Sequence, residues 1–310
     1  MRIVFMGTDR FAVPSLLALV QAGHHVPLVI TQPDRPRGRG QRLLPTPIKE
    51  TAMSLGLPVL SPVKLRDPSF LDAIREASCD LVAVAAYARL IPAAILRLPP
   101  LGCINVHPSL LPRFRGATPI EGAIMAGEKT TGISIFIMDE GYDTGDLILQ
   151  ETCPIGDGET GGELRERLAA ISAPLLLSAV RLLEEGKAGR TPQDRNAGEY
   201  TRPLGKEDEK ITWTEPAEKV ANRIRALSPR PGAASLFGGK ILKILRARPG
   251  MEKSAGQPGE IISLGGGEGP EVACGNGSVI ILEVTPEGKK PMRGRDFVLG
   301  YRPRPGDRFL

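Results

Sequence analysis

Cys103-Ile104-Asn105-Val106-His107-Pro108-Ser109-Leu110-Leu111-Pro112-Arg113-Phe114-Arg115-Gly116-Ala117-Thr118 joins a short apolar strand to a proline-rich turn. Side chains alternate faces along a strand, so Asn105 and His107 point the same way while Val106 points into the packing. Pro108 and Pro112 cannot donate to a ladder, so the strand stops there and Ser109 to Leu111 are expected as an exposed, stiffened loop. An imidazole shuttles a proton near neutral pH and an amide donates to a developing oxyanion, a pairing that suits acyl transfer. The competing reading of an isolated N-x-H is a strand-end pair that satisfies local backbone groups.

Working outward, Arg2 to Met6 reads as a buried strand, followed by Gly7-Thr8 and a helical apolar pattern through Phe11, Val13, Leu16, Leu17 and Val20. This is the first βα unit of a parallel sheet. Only Gly7 stands where a dinucleotide fingerprint places three glycines, which argues against a nicotinamide or flavin site. Val26 to Thr31 and Asp80 to Tyr87 are further strands; the second, apolar on both faces, is a central one whose carboxyl end lies where Asn105 and His107 arrive. Thr131 to Met138 and Asp146 to Cys153 complete the sheet, and a helix from Thr160 to Glu185, interrupted by Pro174, closes it. The chain is then polar and rich in Gly, Pro and Asn. We divide it into a first domain at 1–188, a linker at 189–205 and a second domain at 206–310. In the last part, a helix is followed by some five short strands punctuated by Gly and Pro, the pattern of a small OB-like β-barrel.

The chain has 310 residues, 41% of them apolar and 24% charged, as in a soluble globular protein of two domains. The apolar run at the N-terminus is too short for a signal peptide and no stretch is long enough to span a membrane, so a cytoplasmic location is expected. Cys79, Cys103, Cys153 and Cys274 are far apart with no C-x-x-C, which suggests neither zinc nor a disulfide framework. The net charge is +5, and the whole excess falls in residues 206–310. A basic module beside a neutral one is the footprint of nucleic-acid contact, although many proteins with this charge bind none.

Two further stretches carry chemistry. Gln32-Pro33-Asp34-Arg35-Pro36-Arg37-Gly38-Arg39-Gly40-Gln41-Arg42 is expected as an unpaired basic loop, either solvated or contacting phosphates. Met138-Asp139-Glu140-Gly141-Tyr142-Asp143-Thr144-Gly145-Asp146 concentrates carboxylates between glycines, but its spacing is not that of a calcium loop, so no metal is expected. One of its carboxylates is better employed orienting His107, while Asp146 is expected to brace the loop.

Together, Asn105-x-His107-x-Ser109-Leu110-Leu111-Pro112-x-x-Arg115-Gly116, Gly7-Thr8-Asp9-Arg10-Phe11-Ala12, the acidic loop and Gly288-Lys289-Lys290-Pro291-Met292 resemble the 10-formyltetrahydrofolate-dependent formyltransferases over nearly the whole chain. The basic stretch resembles the insertion of the methionyl-tRNA branch of that family. The resemblance implies a Rossmann-like, mostly parallel α/β domain that binds no dinucleotide, and a reaction that passes the formyl group of 10-formyltetrahydrofolate to the amine of initiator methionyl-tRNA; a monomer is expected separately, because the sequence leaves no obvious apolar patch over. It assigns catalysis to Asn105, His107 and Asp143 and the shaping of the folate site to Ser109, Leu110, Leu111 and Pro112. It places the pterin against backbone near Ala88 to Leu90 and Ile137 to Gly141. Contact with tRNA falls to Arg35, Arg37, Arg39 and Arg42, joined by Lys206, Lys289 and Lys290. Asp9 stands where the family has Pro, and Tyr142 where Leu is usual. The rival readings are a formyltransferase acting on an amino sugar nucleotide, a formylfolate hydrolase, and a non-catalytic RNA-binding protein on the same scaffold; the basic stretch opposes the first two, the intact triad the third.

Overall fold

An unbroken apolar run such as Ile3–Gly7 is stable as a strand only when both faces and both edges are covered, and here every residue of it is buried. The structure is a computed structural model that describes residues 1–37, 42–252 and 256–310. In chain order, the first part carries β1 (Ile3–Gly7), β2 (Val29–Ile30), β3 (Arg35–Arg37), β4 (Arg42–Leu44), β5 (Val59–Leu60), β6 (Leu81–Ala85), β7 (Cys103–His107), β8 (Arg115–Gly116), β9 (Thr130–Ile137), β10 (Leu147–Pro154) and β11 (Tyr200–Thr201). Seven of these form one sheet in the order β10-β9-β7-β6-β1-β2-β5. The five from β7 to β5 pair in parallel, while β9 runs antiparallel to β7 with His107 opposite Ser134. The mixed α/β architecture with a mostly parallel sheet is therefore as the βα patterning predicts.

Local chemistry sets the element ends. Asp9, the departure from the family's Pro, accepts from the Phe11 amide at 3.0 Å and caps the turn that opens the first helix. Thr46 and Asp67 cap the helices Pro47–Ser54 and Pro68–Glu76 in the same way. The basic stretch departs from the expected bare loop. β3 and β4 pair antiparallel, Arg35 opposite Leu44, Pro36 opposite Leu43 and Arg37 opposite Arg42. A two-stranded ribbon needs only backbone pairing, and a proline is tolerated on a strand whose other edge is free. Arg39 lies outside the described residues.

By its internal contacts the chain forms two compact units, one of Met1–Ala117, Thr131–Cys153 and Arg165–Thr201, the other of Thr118–Thr130, Pro154–Leu164 and Arg202–Leu310. Residues 189–201, read from the sequence as linker, belong to the first, where β11 pairs in parallel with β8.

The second unit contains β12 (Ala233–Phe237), β13 (Lys240–Pro249), β14 (Ile261–Ser263), β15 (Glu271–Ala273), β16 (Ser278–Pro286) and β17 (Met292–Arg293). They form an antiparallel sheet ordered β12-β13-β16-β15-β14, with β17 on β16. The C-terminal residues join its two ends. Leu310 exchanges backbone hydrogen bonds with Leu236 of β12, and Phe309 and Asp307 bond Gly259 and Ile261 at the β14 end. An apolar core around Trp213, Val220, Ile224, Phe297 and Phe309 fills the interior. Trp213 satisfies its indole N–H on Ser235 Oγ at 3.0 Å, and Ser235 donates in turn to the Leu310 carbonyl. Truncating Phe309 to Ala should cost about 3–5 kcal/mol. In a denaturant titration the unfolding midpoint of the second unit should move well below wild type, and an unmoved midpoint would show that the tail does not hold the sheet together.

Candidate functional site

The strand β7 ends at His107, which is 4% exposed, while Asn105 on the same face is half-buried. Pairing of β7 with β6 in parallel, Ala85 opposite Val106, brings residues 86–88 out of the sheet at the same edge as His107. The loop after β6 and the turn after β7 therefore leave the sheet together, while the acidic loop starts beside the opposite end of β7, Ile137 facing Ile104, and reaches back to His107 through Asp143.

The imidazole is held at both nitrogens. Its Nε2 lies 2.9 Å from the Phe114 carbonyl oxygen. A carbonyl only accepts, so Nε2 carries the proton, and in the neutral ring Nδ1 is left as the base. Nδ1 faces Asp143 Oδ2 at 3.6 Å, longer than a hydrogen bond but close enough to stabilise an imidazolium. The same Oδ2 accepts from the Gly116 amide at 2.8 Å. The side chain of Asn105 has no hydrogen-bond partner among the described residues, which leaves its amide available to a ligand. Burial, with the nearby Cys79 adding to it, pushes the Cys103 thiol up to about 12. The thiol at the start of β7 is therefore protonated at neutral pH and unsuited to nucleophilic catalysis.

Backbone strain gathers around this site. Six non-glycine residues among those described have positive φ, and Ala86, Ala88, Phe114 and Asp143 are four of them. The left-handed region costs a residue with a Cβ about 1–2 kcal/mol. At Phe114 that conformation accompanies the carbonyl directed at His107; at Asp143 it accompanies the carboxylate held between His107 and Gly116. Gly116 itself has φ +99°, and a Cβ there would lie 2.2 Å from the Thr201 carbonyl oxygen, so the β8–β11 pairing requires glycine.

The turn after β7 corrects the expectation of an exposed loop. Ser109 is fully buried and Leu111 nearly so, while Leu110 and Pro112 are half-buried. Ser109 Oγ donates to the Arg113 carbonyl, and Ser134 Oγ on β9 donates to the Ser109 carbonyl and accepts from the Leu111 amide. Gln150 on β10 adds a bond to the Leu111 carbonyl. A turn packed on a strand must satisfy its backbone internally, and Ser134 and Gln150 do so. The acidic loop also differs from its expectation, since Asp139 rather than Asp146 braces it. Asp139 Oδ1 accepts from the Gly141 amide and from Thr144 Oγ1. Tyr142 is 63% exposed. No cluster of three or more His, Cys, Asp or Glu able to hold a metal exists among the described residues.

Arg115 is the largest side chain buried completely, and sequence reasoning left it without a role beyond the motif. Its Nε donates to the Asp143 carbonyl at 3.2 Å. Its Nη1 donates to the Ala197 carbonyl at 3.0 Å, and Nη2 to Gln193 Oε1 at 2.9 Å and to the Asp194 carbonyl at 3.1 Å. The guanidinium also lies over the Tyr200 ring. Gln193 was missed because an amide in a polar, aperiodic stretch gives no sequence signal. A cleft of about 320 Å³ is lined by Met138, Asp139, Thr144 and Asp146 together with Pro192, Gln193 and Arg195. A second hollow, about 450 Å³, carries Lys64, Arg66 and Arg89 beside Leu65, Leu90 and Pro92. Burial pushes the Tyr87 phenol up to about 12 against the pull of Arg89, so it remains neutral beneath this edge.

Among the cations read as tRNA contacts, Arg35 donates to Gln32 Oε1 at 3.0 Å, and Gln32 in turn to the Tyr87 carbonyl. Arg37 and Arg42 lie on the paired strands β3 and β4. Lys206, Lys289 and Lys290 are exposed in the second unit.

A family described as formyl transferase matches residues 1–180, and one described as formyl transferase, C-terminal domain, matches residues 203–302. The methionyl-tRNA formyltransferase of Syntrophus aciditrophicus is 49% identical over 301 residues, covering 97% of this chain and 96% of that protein. That of Carboxydothermus hydrogenoformans is 48% identical over 309 residues, 100% of this chain and 99% of that protein. Among solved structures, glycinamide ribonucleotide transformylase 1 from Symbiobacterium toebii matches with a TM-score of 0.52 and 28% identity, over 62% of this chain and 93% of that one. HypX from Aquifex aeolicus in complex with tetrahydrofolic acid shares the fold, with a TM-score of 0.65 at 22% identity over 97% of this chain and 47% of that one. With both domain families matched in order and relatives aligned from end to end, the chain belongs to the formyl transferase family, among its methionyl-tRNA formyltransferases.

Proposed function

We propose that Asn105, His107 and Asp143 carry the transfer of the formyl group of 10-formyltetrahydrofolate to the α-amino group of methionyl initiator tRNA. The observation that carries this reading is the imidazole locked by the Phe114 carbonyl, its Nδ1 facing Asp143, on the same strand face as an unpartnered Asn105 amide. The neutral amine attacks the formyl carbon, and the carbonyl oxygen becomes an oxyanion to which the Asn105 amide donates. The attacking nitrogen must lose a proton and the folate N10 must gain one before the carbon–N10 bond breaks. Nδ1 of His107 is the atom that takes and returns that proton, directly or through water, and the Asp143 carboxylate stabilises the ring while it is charged. No covalent enzyme intermediate is needed.

The folate donor carries carboxylates on its glutamyl end, and the hollow with Lys64, Arg66 and Arg89 has the charge to meet them. Shaping of the folate site by the turn Ser109 to Pro112 is indirect for Ser109 and Leu111, whose side chains are buried. The polyanionic tRNA is served by Arg35, Arg37, Arg39 and Arg42 in the first unit and by Lys206, Lys289 and Lys290 in the second. Trp213, Phe297 and Phe309 are buried in the core of the second unit while Tyr301 is 44% exposed, so its contribution is chiefly to backbone phosphates, with little aromatic surface for base stacking.

Formyl transfer from 10-formyltetrahydrofolate to charged initiator tRNA should be abolished by His107→Ala and reduced about 10²–10³-fold in kcat by Asn105→Ala. Wild-type protein that releases formate or formylates an amino sugar, with no product on tRNA, would refute the acceptor. Replacing Lys206, Lys289 and Lys290 together with Ala should raise KM for tRNA, leave kcat unchanged and flatten the salt dependence by about one unit of slope per lost phosphate contact. An unaltered salt slope would remove these lysines from the interface. For Arg39→Ala we expect lost activity on subsaturating tRNA with folate affinity intact; equal activity of mutant and wild type would remove its role.

A further inference from the structure

The segment 190–201 is polar and carries no periodic apolar pattern, yet it contributes Gln193, one of the groups that hold the acidic loop in place. Gln193 is buried, and its amide is used at both ends. Oε1 accepts from Arg115 Nη2 at 2.9 Å. Nε2 donates to the Asp143 carbonyl at 3.1 Å and to the Gly145 carbonyl at 2.7 Å. Arg115 Nε donates to that same Asp143 carbonyl at 3.2 Å. The peptide following Asp143 is thus gripped by two donors on one oxygen, at a residue whose φ of 55° lies in the left-handed region that side chains with a Cβ disfavour. The carboxylate on this residue is the one that faces His107 Nδ1 and bonds the Gly116 amide.

We infer that Gln193, oriented by Arg115, is a positioning residue that fixes the backbone of Asp143 and thereby the carboxylate beside His107. Only a side chain that accepts and donates at once fits this place. A guanidinium requires an acceptor, and two backbone carbonyls require a donor. Arg115 has no ion-pair partner among the described residues, so its charge is met by hydrogen-bonding oxygens and the face of the Tyr200 ring, and most of those oxygens belong to residues 193–197. The segment is therefore an organising part of the catalytic unit. The inference rests on the proposed role of Asp143, and Gln193 itself makes no contact with reacting atoms.

The test is a double-mutant cycle on formyl transfer with purified full-length protein. Gln193→Met keeps the volume and removes both functions of the amide. Gln193→Glu keeps an acceptor for Arg115 and removes the donor to the two carbonyls. Both variants should lose about 10- to 100-fold in kcat, the scale of a misplaced catalytic group, with KM for folate and tRNA within about two-fold of wild type. In the Asp143→Ala background the same substitutions should cost nothing further, because there is no carboxylate left to position. An equal loss in both backgrounds, or full activity in the Glu variant, overturns the inference. Thermal melts identify any variant that fails to fold; the Glu variant, which retains the Arg115 contact, then decides. Should Asp143→Ala retain wild-type turnover, the proposed mechanism fails instead, a result separable from an additive cycle.

Discussion

A guanidinium taken out of water without a carboxylate must be surrounded by oxygens, because an uncompensated buried charge costs several kcal/mol. Arg115 meets that demand by collecting the carbonyls of Asp143, Asp194 and Ala197 and the amide oxygen of Gln193. Much of the first unit's active edge follows from this. The segment 193–197 is drawn against Arg115, β11 pairs with β8 in a separate two-stranded sheet, and Gly116 must be glycine because Thr201 lies against it. The amide that glycine presents then holds Asp143 Oδ2, so one buried cation connects the β7 turn, the acidic loop and the chain beyond the long helix.

Strain at the carboxyl edge is the other side of the same arrangement. Ala86, Ala88, Phe114 and Asp143 are all left-handed, and each lies in a loop leaving the strands that carry or flank Asn105 and His107. Folded proteins retain such residues where neighbours over-determine them. Here the neighbours are visible: the imidazole on the Phe114 carbonyl, two donors on the Asp143 carbonyl, and Gln32 on the carbonyl of Tyr87, between the two alanines. A site that needs a proton carrier and a carboxylate at fixed separation gains preorganisation from loops that cannot relax.

The parts of the site that were legible in the sequence are those whose signal is local. Asn105 and His107 announce themselves by strand alternation before a proline, and Asp143 by a glycine-flanked acidic run. The central strands were legible because burial on both faces demands unbroken apolar runs. What was misread depends on partners far along the chain. Ser109 and Leu111 looked exposed because proline ends a strand, but Ser134 and Gln150 on the neighbouring strands satisfy the turn and bury it. The arginine-rich stretch looked unpaired, but backbone bonds that ignore side-chain chemistry pair Arg35–Arg37 with Arg42–Leu44. Asp139 and Asp146 are equivalent by composition, and only the positions of Thr144 and the Gly141 amide distinguish them.

The family, the reaction class and the candidate side chains Asn105, His107 and Asp143 that we propose as reacting were legible in the sequence alone, because they reside in short strings whose residue types the chemistry requires. The tautomer of His107, the service of Gln193 and Arg115 to Asp143, and the C-terminal residues that join the two ends of the second sheet were decided only by the tertiary structure. Each is a hydrogen bond between groups distant in the chain, and the partner of a buried polar group is set by which atoms folding brings within about 3 Å, a relation that no local pattern encodes.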